Sequence, residues 1–315
     1  MFFFSLSYLK LLGGLYLGWS LGANNTANVF GTAVSSGMVK FRTATVFFAV
    51  FVILGAVIGG APGIKTLGGL TGQNINTAFI ISVASAVAVT LLTMLKLPAS
   101  VSQAVVGAIL GIAILQKQVN FAGLRKIIIC WICTPIGAAI IAILLYIFLT
   151  YILRKIDIHF LNFDKIVRIM LILSGAYGAY ALGANNVANI TGVYYQAGIL
   201  TPFLASLIGS ISIALGAVTY SRNVMMTVGK SIIPLNAFCA LVVVLSEAIT
   251  VDIFAHIGVP VSTCQAVIGG VIGVGVVRNI KAVNFKVLYR IFSGWVVTPV
   301  VSCVLSYMLY KIFYM

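Results

Sequence analysis

Two phrases place amide side chains at helical spacing inside apolar sequence. GANNTANVFGTAVSSG occupies residues 22–37, and GANNVANITGVYYQAG returns at 183–198. Their asparagines are Asn24, Asn25 and Asn28 in the first copy and Asn185, Asn186 and Asn189 in the second. Asparagine competes for helical backbone hydrogen bonds and glycine relaxes the backbone, so the helix is expected to break at each phrase. A restarted helix offers free amide N–H groups and a positive dipole end, which suit an anion. The carbonyl end of the preceding half-helix suits a cation.

A second pair of motifs carries hydroxyls. LPASVSQAVVGAILG at 97–111 matches VPVSTCQAVIGGVIG at 259–273. Pro98 and Pro260 fit a first helical turn. Ser100, Ser102 and Gln103 follow in one copy, and Ser262, Thr263 and Gln265 in the other. Hydroxyls and open amides at a helix start form a neutral donor cradle fitted to a tetrahedral oxyanion. Gly107, Gly111, Gly269 and Gly273 read instead as small residues that let helices pack closely.

The elements that must hold these groups are membrane helices. The 315 residues are 62% hydrophobic and 7% charged, far below the roughly 25% charged residues of a soluble domain. Apolar runs fall at about 3–27, 43–61, 75–96, 98–116 and 124–153, then at 164–182, 201–220, 236–257, 260–277 and 287–314, each near the ~20 residues that cross a bilayer. The apolar opening lacks a basic start and a small-residue cleavage site, and is read as a first helix rather than a leader. The five cysteines all lie in apolar runs and read as buried helix residues, including the Cys130–Cys133 pair. A net charge of +15 carried by so few charges reflects loop topology rather than nucleic-acid binding.

The chain is duplicated. GANN recurs after 161 residues, the proline motif after 162, and WICTP (131–135) as WVVTP (295–299) after 164. Residues 1–153 are therefore read as a first transmembrane repeat, 154–168 as a cytoplasmic connecting loop and 169–315 as a second repeat. Five runs per half, an odd number, would insert the second copy upside down. Inverted repeats with a midplane site are the mark of secondary transporters. The fold expected is an all-α integral membrane protein of about 10–12 transmembrane or re-entrant helices, broken at the midplane. If ten spans alternate, the side carrying the central loop (side B) holds thirteen basic residues and the other (side A) six. That bias makes side B cytoplasmic and places both termini outside a cell membrane crossed many times.

Together these motifs resemble the inorganic phosphate transporter (PiT) family, including its sulfate permease-like relatives, over essentially the whole chain. SRNVMMTVGKSI at 221–232 is also similar to a family segment. The resemblance implies cation-coupled uptake of inorganic phosphate. Two departures are symmetric. Asn25 and Asn186 stand where the family has aspartate, and Gln103 and Gln265 where it has histidine. A site without carboxylates also suits sulfate, which has no proton to offer. Sodium at Asn25 and Asn186 would meet an uncharged oxygen.

Coupling requires a titratable or cation-binding group, and the chain has four acids: Asp157, Asp164, Glu247 and Asp252. The first two fall in the central loop, and Asp252 nears a helix end. Glu247 lies inside an apolar run, where a carboxylate is a functional candidate by default; its repeat counterpart is Ser85. The structural alternative pairs Glu247 with Arg222 or another basic neighbour. His159 and His256 do not read as ligands.

The sequence thus points to a transporter of inorganic phosphate or sulfate in membrane lipid, with H⁺ or Na⁺ as coupling ion and no other cofactor or firm metal site. An uncoupled anion channel is the remaining alternative. No nucleophile–base pair, metal cluster or P-loop supports an enzyme or direct ATP drive. Glycine-rich packing faces leave room for a homodimer.

Overall fold

The computed structural model describes residues 9–94, 99–155, 160–231, 236–278 and 285–314. They form eleven helices and no strand: α1 Leu11–Ser35, α2 Phe41–Gly59, α3 Ala61–Gly68, α4 Ile75–Met94, α5 Val101–Gln116, α6 Phe121–Lys155, α7 Phe160–Gln196, α8 Pro202–Ser231, α9 Ala237–Ile257, α10 Thr263–Val277 and α11 Phe285–Tyr314. Seven are long and apolar enough to cross a membrane, whereas α5 and α10 have only 16 and 15 residues. Large apolar side chains such as Ile132, Ile136, Leu144, Val296 and Ile312 face outward, as lipid-facing surface requires.

The two halves pack through each other. In the centre α1 lies along α8 and α2 along α7; to the sides, α11 packs on α4 and α5, and α6 on α9 and α10. Swapping the halves exchanges each pairing for its twin. Close approaches repeat the same way. A methyl group on Gly22 would overlap the backbone of Ile213, and one on Gly183 that of Val52. At the flanks, Gly107 meets the backbone of Pro299 and Gly269 that of Pro135. The proline-motif glycines are therefore packing residues, as expected.

α4–α5 and α9–α10 are re-entrant hairpins rather than pairs of spans. Lys10 at the start of α1 bonds Asn76 at the start of α4. Past the end of α5, Asn120 donates to the carbonyls of Leu70 and Gly69, both at 3.3 Å, just ahead of α4. Both arms therefore end on side A. In the second half, Arg278 Nη1 after α10 donates to Cys239 Sγ at the start of α9 (3.4 Å), closing that hairpin on side B. The connection between α9 and α10 touches Asn185. Asn185 lies eleven residues before the side A end of α7 at Gln196, or about 16 Å of helix. That is near half of a ~30 Å hydrocarbon core. Because a hairpin returns to its starting side, two such hairpins leave the parity of the remaining spans unchanged.

Four expectations need correction. The GANN phrases do not break their helices, for α1 and α7 run through them unbroken. Their glycines serve close helix approach, and their amides find partners that leave the backbone ladder intact. The breaks fall instead at the connection between α9 and α10 and at Gly60, between α2 and the unexpected short helix α3. Pro260 precedes the helix, since Ser262 caps α10 and Thr263 begins it; Pro98 lies outside the described residues. The stretch 154–168 is not all loop, because α6 continues to Lys155 and α7 starts at Phe160. Its polar residues ride on helices that extend past the apolar core, with Asp164 exposed on α7; Asp157 and His159 lie outside the described residues. Finally, Cys133 is exposed although Cys130 is buried. The inward strip of α6 runs through Ile127, Cys130, Thr134, Ala138 and Ala142, and Cys133 lies to one side of it.

Candidate functional site

The site forms where the tips of both hairpins meet α1 and α7. Each hairpin's second arm begins with an extended serine whose hydroxyl accepts from the backbone N–H three residues on: Ser100 from Gln103 and Ser262 from Gln265, both at 3.4 Å. This N-cap fixes the starts of α5 and α10 and leaves their remaining first-turn N–H groups open. The positive dipole ends thus come from the hairpins, not from GANN.

The asparagines divide the work. Asn185 pins the second tip: its Nδ2 donates to the Val259 carbonyl (3.3 Å) and its Oδ1 accepts from the Val261 N–H (3.1 Å). Asn189 Nδ2 donates to Ser102 Oγ (2.9 Å) and Asn186 Oδ1 (3.1 Å). Ser102 Oγ in turn donates to the Val261 carbonyl (3.0 Å), so one hydroxyl ties the start of α5 to the opposite tip. On the other side Asn28 Nδ2 donates to Thr263 Oγ1 (3.3 Å) and Cys264 Sγ (3.4 Å). Asn25 is buried one turn before Asn28 on the same face of α1. Asn24 does not join the network; it donates to the Ser20 carbonyl of its own helix (3.2 Å).

Cys264 is the residue that sequence reasoning missed. Asn28 and Asn189 are repeat equivalents, and so are Cys264 and Ser102. Setting VSQ over TCQ reveals the second pair, but a cysteine in an apolar run does not look like a polar partner.

Several buried polar atoms here lack protein partners: Asn186 Nδ2, Asn189 Oδ1, Gln103 Oε1 and Gln265 Oε1. All four belong to side chains no more than 3% exposed. A buried polar atom without a partner costs about 1–3 kcal/mol, so these atoms, on α7 and in the first turns of α5 and α10, suit a polar guest. An amide turned by half a rotation presents NH₂ where its oxygen stood, so the same residues can donate or accept. Among the described residues no group of acidic, histidine or cysteine side chains is arranged to hold a metal. Glu247 is buried beside the site in α9. It is not paired with Arg222, which is exposed and stacks over the Phe41 ring, 5.9 Å from its centre. Asp252 accepts from Tyr177 Oη (2.9 Å) and lies 3.6 Å from His256 Nδ1.

The sequence model of the phosphate transporter family matches residues 21–306. The chain belongs to that family. It is a multi-pass membrane transporter rather than an enzyme. It is 34% identical over 301 residues to a Methanocaldococcus jannaschii protein named "Putative phosphate permease", covering 96% of each chain. It is 31% identical over 309 residues to the sulfate permease CysP of Bacillus subtilis, covering 96% of this chain and 87% of that one. A solved structure titled "The sodium-dependent phosphate transporter" superposes with a TM-score of 0.87 at 22% identity, over 97% of this chain and 98% of that one. At that identity the superposition speaks for the fold, which the two proteins share.

Proposed function

We propose that this family member is a secondary active transporter that takes up a tetrahedral oxyanion, inorganic phosphate in the first place, by proton or sodium symport. The observation that carries this reading is the buried, uncharged cluster at mid-depth, where Asn28, Asn186 and Asn189 meet the serine-capped starts of α5 and α10. Capped helix starts and amide N–H groups supply donors for the anion's oxygens. The unpartnered oxygens of Gln103, Gln265 and Asn189 can accept the P–OH proton of a partly protonated phosphate. Bare sulfate offers no such proton and is met only when those amides turn to present NH₂. Asn25, Ser100, Ser102, Ser262, Thr263 and Gln265 complete the cradle, and rocking of packed units around it would alternate access. Lys96 and Lys281 lie outside the described residues; without them the basic bias toward side B is eleven to six, which favours a cytoplasmic central loop.

Sulfate is the second reading, favoured by the neutral amides at 25 and 186 and by the similarity to a sulfate permease. The deciding experiment is uptake of labelled phosphate and labelled sulfate into proteoliposomes, each competed by the other, under imposed proton or sodium gradients. Concentrative phosphate uptake that excess sulfate does not displace is expected. Concentrative sulfate uptake indifferent to phosphate would reverse the substrate, and flux without accumulation would leave a channel.

A further inference from the structure

Glu247 is a titratable group that the anion cradle does not use. It is 1% exposed, midway along α9, and neither carboxyl oxygen has a hydrogen-bond partner. Among the described residues the one ion pair, His256–Asp252, does not involve it. Where α7 faces it the residue is Gly178, and a methyl group there would lie 3.7 Å from Oε2 and 3.0 Å from Val29 of α1. From α10, Cys264 lies close enough to feel its charge, and Cys264 accepts from Asn28 of the cradle.

Among the described residues no cation stands in for a partner. On α7, Tyr177 donates to Asp252 instead. On α6, Lys126 bonds the Ile257 carbonyl (3.2 Å), and Cys130 is a buried thiol. Lys65 of α3 is exposed. Arg278, after α10, is engaged with Cys239 at the far end of the hairpin.

On the reading that the cluster binds an oxyanion, we infer that Glu247 is the proton site that couples anion entry to the proton gradient. A sodium ion needs several oxygen ligands, and this carboxyl group faces a glycine, a valine and a thiol. The hydroxyls on its own helix are turned to backbone carbonyls, Ser246 to Val243 (2.8 Å) and Thr250 to Ser246 (2.7 Å). A proton needs only the carboxylate. An unpaired buried charge is costly, and an anion arriving at Asn28 and Thr263 adds like-charge repulsion. Each ligand therefore strengthens the other: the anion holds the proton on, and the proton admits the anion. Linkage makes that coupling reciprocal. Carrying both together across the closed site moves the anion with one negative charge fewer.

The test compares wild-type protein, Glu247→Gln and Glu247→Asp in proteoliposomes with the membrane potential clamped. Wild-type protein should accumulate phosphate about tenfold per unit of inward pH gradient, the ratio one proton sustains. Glu247→Gln should fall to the equilibrium level while phosphate–phosphate counterflow persists and loses its pH dependence. Glu247→Asp, which keeps a titratable group, should accumulate phosphate. Undiminished accumulation in Glu247→Gln, or equal loss in both variants, would overturn the proposal, the second by showing that shape rather than titration matters. Absence of counterflow in the wild-type protein would instead refute the oxyanion reading on which it rests.

Discussion

Asn185 and Asn186 are adjacent and equally buried, yet the structure gives them opposite work, so their alanine variants should fail in different ways. Asn185→Ala removes two hydrogen bonds and strands the Val259 carbonyl and the Val261 N–H in a dry tip. Each stranded backbone group costs about 1–3 kcal/mol, so destabilisation of roughly 2–6 kcal/mol is expected. Asn186→Ala removes one acceptor for Asn189 and a free Nδ2 donor. Its stability loss should stay near 1 kcal/mol. A charge-assisted hydrogen bond to an anion is worth about 1.5–3 kcal/mol, so the half-saturating phosphate concentration should rise roughly 10- to 100-fold. Thermal unfolding of purified protein, followed by labelling of newly exposed cysteines, reads the first effect. Uptake against phosphate concentration reads the second. Wild-type melting of Asn185→Ala, or unchanged phosphate dependence of Asn186→Ala, would refute this division of roles.

Other substitutions test other parts of the structure. Ser100→Ala and Ser262→Ala should each lose about 1 kcal/mol of stability, by similar amounts because both cap a hairpin's second arm; melting curves check this. Gly269→Ala should cost about 1–3 kcal/mol by overpacking, since its methyl group would overlap the Pro135 backbone, whereas Gly275→Ala has nothing within 4 Å and should be silent in the same assay. Cys264→Ser should transport normally, because serine is what the equivalent position 102 carries. It should also abolish inhibition by a maleimide, which phosphate should slow in the wild-type protein. Asn25→Asp with Asn186→Asp should make anion uptake dependent on sodium, measured as uptake with and without the cation, because two carboxylates would otherwise repel the anion.

The paired motifs and the all-helical membrane fold were legible because each depended on residue type repeated at fixed spacing. Asn28 and Asn189 do converge with the residues after the prolines, as the paired motifs implied. What eluded the sequence was the division between backbone and side chain. A GANN phrase looks like a helix breaker because isolated asparagine prefers to bond its own backbone, but tertiary partners at the hairpin tips outbid that local preference. Asn24 and Asn185 are identical in sequence context, yet one bonds within its helix and the other clamps a tip. Glu247 was recognisable from polarity alone; its lack of a cation was not, because Arg222 stood at a plausible spacing and only the packing turns it toward Phe41.

The exchanged packing of the halves bears on how the chain is made. α5 carries Gly107, which is shaped to receive the backbone of α11, but roughly 170 residues separate the end of α5 from the start of α11. At a synthesis rate of about 5–20 residues per second, α5 waits roughly 10–35 s for its partner. During that interval the first hairpin must hold its capped but unmatched tip in lipid or against the insertion machinery. Its completion is therefore an event of the finished chain, and truncation anywhere before α11 would leave the first half as well as the second without its binding surface.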